Sequence, residues 1–484
     1  MNTPSASDPG EATRQFAASL PEELAEALRA AAVPHWFDAE ILAAILDVRA
    51  ERAQKLLTLL PLLPLVQPWG EGQFALHELA RHALLADLWA NRPALYRTWS
   101  ARAADYFATH ERFSFPAAAE PNPRLRIESI YHRLLADPER GADEVWNWGA
   151  AWINTFRYPL IFALVQAGLE HDQAGRLAGR ARGWVLYLHG VYQIVYSEYR
   201  GARHALEAAL LAAGADRALL ANCIKRLGDV HVQLDEYPQA RARYAEALPI
   251  YRDIGARLGE ANCIQSLGDV HVQLAEYPQA LAQYDAALAQ FRALGLPNDA
   301  ANVLTSIADA YDRRKEYDRS LEYYTQAIEL VPDNSMWRRN RASAYIQAGD
   351  AERARADLAA ARQLQPDHPF LSLRYGDLAL LETRYAEAAE HFRTFSAALP
   401  NANGGYFGLA QALLGLGDTA AGLASLEQAL SLTYARQDVM EGIEDLERLS
   451  QRDSRVAGVP LALQRLHAWL EAHQANEQPP PIVA

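Results

Sequence analysis

The sequence predicts an all-α protein, a curved helical solenoid preceded by a small domain that carries one β-hairpin. Three observations support that expectation. Residues 221–260 and 261–300 are nearly one sequence written twice: ANCIKRLGDVHVQLDEYPQA and ANCIQSLGDVHVQLAEYPQA agree at 17 of 20 positions, at a spacing of 40. Internal periods of this size mark stacked helical units, each burying its apolar face against the next. Small and aromatic residues keep the same register further on, while the spacing shortens to 34. The third observation is Gly70-Glu71-Gly72, a turn between two short apolar runs that reads as a hairpin.

Taken in order, residues 1–20 lack the basic flank and apolar stretch of a signal peptide and are expected to be disordered. Over 21–110, PEELAEALRAAA, DAEILAAIL and AERAQKLLTLL space their apolar residues as helices do. PLVQPWGEGQFALH follows as a hairpin near 65–76, and HELARHALLADLW returns to helix, an order that makes a winged-helix domain. Residues 111–182 form a helical connector whose Trp146, Trp148, Trp152 and Phe156 read as core. The repeat array runs over 183–436, with a degenerate copy at 183–220 and units starting at 221, 261, 301, 335, 369 and 403. Its marks are Gly228, Ala240 and Tyr244, then Gly268, Ala280 and Tyr284, then Ala308, Ser320 and Tyr324. GIEDLERLS and PLALQRLHAWLEAHQ, within 437–475, are expected to close the array with polar outer faces. NEQPPPIVA at 476–484 is expected to be a disordered tail.

Six units in this register resemble the tetratricopeptide repeat (TPR), a helix–turn–helix motif, over about residues 183–436. The resemblance implies a right-handed superhelix with a concave groove. Small residues at the eighth and twentieth positions would let the two helices of a unit, A and B, approach closely. Tyr244, Tyr284 and Tyr324 would fill the gap to the next unit, and Pro332, Pro366 and Pro400 would end B helices. In TPR proteins the second, fifth, ninth, twelfth and thirteenth positions of helix A line the groove. That assigns Asn222, Asn262 and Asn302 to a ladder of amides able to pair with the main chain of an extended peptide. Asp229, Asp269, Asp309 and Asp377 would form an acidic column favouring a basic ligand, one with Arg or Lys. Lys225, Gln233, Gln265, Gln273 and Arg313 complete a polar groove. The alternative is that copied repeats simply retain copied side chains.

A hairpin domain followed by helical repeats also resembles the region after the ATPase core of STAND signalling proteins. In that family the hairpin leads into a motif whose histidine touches the nucleotide's phosphates. This makes His77, in Leu76-His77-Glu78, a candidate nucleotide-sensor remnant. The counter-reading is an interior histidine bonded to a neighbouring helix. A phosphate-binding loop needs a lysine between glycine and Ser or Thr. The three lysines, Lys55, Lys225 and Lys315, are not so placed. A nucleotide role therefore requires a separately encoded NTPase that docks on the winged helix.

Composition narrows the function further. Half of the 484 residues are apolar, which suits several packed cores. A net charge of −14 argues against nucleic-acid binding, which needs basic surface to displace counterions. The first 110 residues alone hold thirteen acids against nine bases, and AERAQKLLTLL offers a recognition helix only Arg52 and Lys55. Cys223 and Cys263 share one repeat position and read as buried thiols of a reducing compartment. LLTLLPLLPLV at 56–66 is too short and too broken by Pro61 and Pro64 to cross a membrane. No HExxH, GxSxG or CxxC pattern occurs, so neither catalysis, metal nor cofactor is expected. Two classes remain for a cytoplasmic protein: a scaffold that binds a peptide or protein, or a regulatory subunit working with a separate NTPase.

Overall fold

The computed structural model describes residues 9–111, 122–433, 436–452, 456 and 458–473. The chain divides into two compact units, residues 1–263 and 264–484.

The first unit opens with α1 (Pro9–Ser19), α2 (Glu22–Ala31), α3 (Ala39–Leu46) and α4 (Ala50–Leu59), then a hairpin of β1 (Val66–Gly70) and β2 (Gln73–Leu76). The pairing is antiparallel, Val66 opposite Leu76, with Glu71 and Gly72 in the turn. Gly72 sits at φ +70°, a conformation that glycine adopts without steric cost. Phe37 adds a bridge to the hairpin, its N–H donating to the Phe74 carbonyl at 2.7 Å. Disorder expected over 1–20 is replaced by helix at 9–19, because Ala17 is fully buried and α1 packs on α5 (Glu78–Asn91). Residues 1–8 and the expected tail at 476–484 lie outside the described residues. Asp38 starts α3 by accepting from the Ile41 N–H at 2.9 Å, a side-chain cap for an otherwise unpaired donor.

Helices then follow one another as α6 (Pro93–His110), α7 (Pro123–Ala136), α8 (Pro138–Asn154), α9 (Tyr158–Gln173), α10 (Gly179–Val195) and α11 (Tyr199–Ala212). The first long repeat is α12 (Arg217–Gln233) with α13 (Tyr237–Asp253). Its near-copy is α14 (Arg257–Gln273) with α15 (Tyr277–Ala293), and the boundary between the units falls inside α14.

The second unit continues with α16 (Pro297–Arg313), α17 (Tyr317–Leu330), α18 (Ser335–Gln347), α19 (Ala351–Leu364), α20 (Pro369–Leu381), α21 (Tyr385–Ala398), α22 (Asn403–Gly415) and α23 (Thr419–Ser431). It closes with α24 (Arg436–Arg452) and α25 (Val459–Ala472). The A and B helices pack on each other in α10–α11, α12–α13, α16–α17, α18–α19, α20–α21 and α22–α23, and α20 packs on both α18 and α22. The fold is thus an α-solenoid with one small two-stranded sheet.

One geometry repeats throughout. A glycine or alanine of helix A faces a large side chain sixteen residues on, as in Gly228–Tyr244, Gly268–Tyr284 and Gly376–Phe392. A Cβ on Gly228 would stand 2.6 Å from the Tyr244 ring, so the close approach needs glycine there. These rings therefore pack within their own repeat, and Tyr324 also reaches the next one, where it clusters with Ala344 as the sequence expected. Phe392 does both, since a Cβ on Gly408 of the next repeat would also overlap it. The A–B turn recurs too, with a left-handed residue at 197, 235, 275, 315, 349, 383 and 417. Prolines 332, 366 and 400 each follow the last residue of a B helix by two.

Candidate functional site

On one face, helix A leaves its second, ninth and thirteenth positions half-buried or exposed in each of the six repeats from residue 221 on. Its fifth position is so too in the first two, whereas Thr305, Arg339 and Phe407 at the fifth position of later repeats are buried. The expected groove residues all lie on that face, yet they differ in how far they are already engaged.

In the first unit, Asn222 Oδ1 accepts from the Tyr251 hydroxyl at 2.9 Å, and Gln233 Oε1 accepts from the Tyr199 hydroxyl at 3.1 Å. Asp229 accepts from Lys225 Nζ at 3.0 Å, from Arg226 Nη1 at 3.0 Å and from the Tyr244 hydroxyl at 2.8 Å. Burial pushes the Asp229 carboxyl up, but Lys225, Arg226 and Tyr244 outweigh it and hold the group below its usual range. This rung of the acidic column is therefore neutralised internally by its own helix, which is a correction to the sequence reading. Asn262 is half-buried, and its side chain makes no hydrogen bond among the described residues.

In the second unit, Asp269 accepts from the Tyr284 hydroxyl at 2.7 Å, and Asp309 accepts from Tyr324 in the same manner. Each aspartate is thus a polar tie from helix A to helix B, fifteen residues on. Asp377 pairs with Arg374 Nη1 at 2.9 Å. Burial raises the carboxyls of Asp309 and Asp377. Burial and the charge of Asp309 push Asp312 up to about 6. Gln265 is half-buried, while Gln273, Asn302 and Arg313 are exposed.

The closing helix α24 modifies this face. Lys315 Nζ meets Glu444 at 2.8 Å, Gln411 reaches Asp445 at 3.4 Å, and Arg448 bonds Gln347. Glu444, Asp445 and Arg448 thus reach earlier repeats, Gln437, Glu441 and Glu447 are exposed, and Val439, Ile443 and Leu446 join the last apolar core.

His77 stands just before α5. It is exposed, its side chain makes no hydrogen bond among the described residues, and its N–H donates to the Leu65 carbonyl at 2.9 Å. The interior reading is overturned, because the chain leaves the hairpin here and turns the ring to solvent. The histidine that does bond neighbouring helices is His35. Its Nδ1 lies 2.8 Å from Glu128 and its Nε2 3.1 Å from Glu170. Arg81 donates to Glu170 at 2.8 Å and to the Tyr131 hydroxyl at 2.9 Å, and Tyr131 donates to Glu170 at 2.7 Å. Two cations and two carboxylates thereby join the hairpin region to α7 and α9. Burial opposes the charge on His35, but Glu128 and Glu170 raise its affinity for a proton. Burial would raise Glu128, yet His35 and His132 hold it well below the carboxylate range. His171, buried and bonded to the Tyr131 carbonyl at 3.0 Å, is lowered to about 3 and stays neutral. The one sequence signal for this cluster is Arg81, which stands among Ala80, Ala83, Leu84, Leu85 and Leu88 in α5.

Cys223 and Cys263 are both free and buried; burial pushes the Cys263 thiol up to about 12. Among the described residues, no group of three or more metal-ligating side chains occurs, and no helix is long and apolar enough to cross a membrane.

Family models of the tetratricopeptide repeat match residues 260–333, 305–369, 339–403 and 404–435. The chain carries tetratricopeptide repeats. No curated protein matches the chain. Among solved structures, it is similar to the Signal Transduction ATPase with Numerous Domains (STAND) protein with a tetratricopeptide repeat sensor from Pyrococcus horikoshii. The two share 13% identity at a TM-score of 0.51, over 89% of this chain and 65% of that one. The chain therefore spans about two thirds of the Pyrococcus protein. The apo form of RapI is similar at 12% identity and a TM-score of 0.49, over 74% of this chain and 96% of that one. At 13% identity the likeness to the Pyrococcus protein shows the fold alone.

Proposed function

We propose that this protein is a non-enzymatic scaffold or sensor of the cytoplasm, whose TPR faces hold a peptide or protein. The observation that carries the reading is the second position of helix A. Tyr251 occupies the amide oxygen of Asn222, but Phe291 and Val331, which stand at the equivalent positions after Asn262 and Asn302, have no hydroxyl to offer. Asn262 and Asn302 are thus left with side-chain amides that make no hydrogen bond among the described residues. An amide with both donor and acceptor open can pair with an extended main chain. Changing Asn262→Ala and Asn302→Ala together should weaken partner capture about ten- to a hundredfold, at ~1–1.5 kcal/mol for each net hydrogen bond. The melting temperature should hold, since neither side chain is core. An unchanged affinity in the double variant would move the site elsewhere.

A second reading is a regulatory subunit of a STAND-type signalling or defence system, acting with a separately encoded NTPase. It draws support from the order of the elements: a hairpin domain of winged-helix type, tied by the His35 cluster to the helices that precede the repeats. Co-purification of a P-loop ATPase that is lost on deleting residues 9–91 would favour it. A winged-helix DNA-binding regulator ranks below both, given the acidic balance of the first 110 residues.

A further inference from the structure

The two long repeats part company at one charged position. In the first, Arg252 near the end of α13 pairs with Glu260 at the start of α14, Nε to Oε1 2.8 Å, and the Glu260 side chain is only 18% exposed. Forty residues on, Arg292 is present near the end of α15, but Ala300 stands where the carboxylate would be. Arg292 has no ion-pair partner among the described residues. In the vacated place lies a cavity of about 480 Å³, lined by Arg292, Leu296, Ala300, Leu304, Glu329 and Leu330. The helix on its far side, α17, has 14 residues where α15 has 17, so it ends at Leu330 without the last turn that α15 possesses. The volume falls in the range of small-ligand sites, and the lining pairs an apolar floor with few polar groups.

We propose that this cavity binds an amphiphilic carboxylate. The ligand's carboxylate pairs with Arg292 as Glu260 pairs with Arg252, and its apolar body covers Leu296, Leu304 and Leu330. Glu329 repels a second negative charge, so the site takes a monocarboxylate in preference to a dicarboxylate. The ligand chemistry has two sources, a free aliphatic acid or the C-terminal carboxylate of a peptide that ends in an apolar residue. Nothing in this assignment depends on the asparagines of helix A.

Calorimetry on the full chain separates the alternatives with four probes: octanoate, octanamide, and a tetrapeptide ending in leucine as free acid and as amide. At least one of the two acids should bind saturably, and its neutral counterpart should bind at least tenfold more weakly. Whichever acid binds identifies the source. Arg292→Gln, at an exposed position, should weaken binding at least tenfold. Ala300→Glu supplies the missing carboxylate from within and should abolish binding, with a melting temperature at or above the starting value. If that variant folds poorly, Arg292→Gln alone decides. Failure of both acids to bind, or binding that is equal in the chain and in Arg292→Gln, overturns the proposal.

Discussion

Both ring nitrogens of His35 face carboxylates, so the ring donates twice only when it holds both protons. The sign of its contribution follows. His35 is raised above its ordinary 6.5, so its contribution is complete below about pH 6.5 and is lost as pH rises through the raised value. Glu128 and Glu170 are lowered from 4.5, so theirs is present above about pH 4.5 and is lost as pH falls through the lowered values. His35→Gln should therefore destabilise the first unit by about 3 kcal/mol, the cost of leaving a buried carboxylate without its cation. Thermal melts from pH 5 to pH 9 should show that gap at its widest near pH 5–6 and narrowing above; a gap constant with pH would contradict the protonated ring. Beyond Arg81 among apolar neighbours, sequence patterns do not reveal this cluster, because His35 lies 93 residues from Glu128 and 135 from Glu170. The asparagines and aspartates were legible as positions, but not as states. Whether Asn222 is free depends on Tyr251, a partner on the next helix.

At the scale of the helical hairpin, the strongest constraint is the turn between A and B. A left-handed residue occupies the same place in each repeat, and it is glycine at 349 and 417 but Ala at 275 and Lys at 315. An L-residue with a Cβ costs about 1–2 kcal/mol in that conformation, partly offset by the greater chain entropy glycine loses on folding. Ala275→Gly should raise stability by ~0.5–1 kcal/mol, read as a shift in the denaturation midpoint at unchanged m-value. A lower midpoint would mean that the turn is not left-handed in solution. Hairpins were largely readable from the sequence, since Gly228 with Tyr244 and the prolines after B helices are local features at fixed spacing. The return of α24 onto earlier helices was not, because Lys315 finds Glu444 from 129 residues away.

For the whole molecule, charge and lysine placement bound what the chain can do with nucleotides. Of the three lysines, none stands in a glycine-rich turn before Ser or Thr, so the sequence offers no P-loop for a triphosphate. Calorimetry with ATP and magnesium should show no saturable heat at micromolar concentrations; a micromolar dissociation constant would expose a phosphate site built from arginines. The TPR solenoid was predictable because repeats interact with their neighbours, so a short period carries most of the architecture. The hairpin region is less regular, and its bridge from Phe37 to Phe74 joins segments with no shared pattern.

Near-identity of the two long repeats has a consequence for inheritance. Leu220 precedes Ala221-Asn222-Cys223-Ile224, and the second copy opens with the same four residues at Ala261. Removing residues 221–260 would join Leu220 to Ala261 and leave a seam that reads as it did before. The glycine–tyrosine pair, the aspartate tie and the left-handed turn all travel inside the excised block. The protein is therefore built to change length in steps of one whole copy, and its lineage could lengthen or shorten the binding surface by slippage without inventing a new junction.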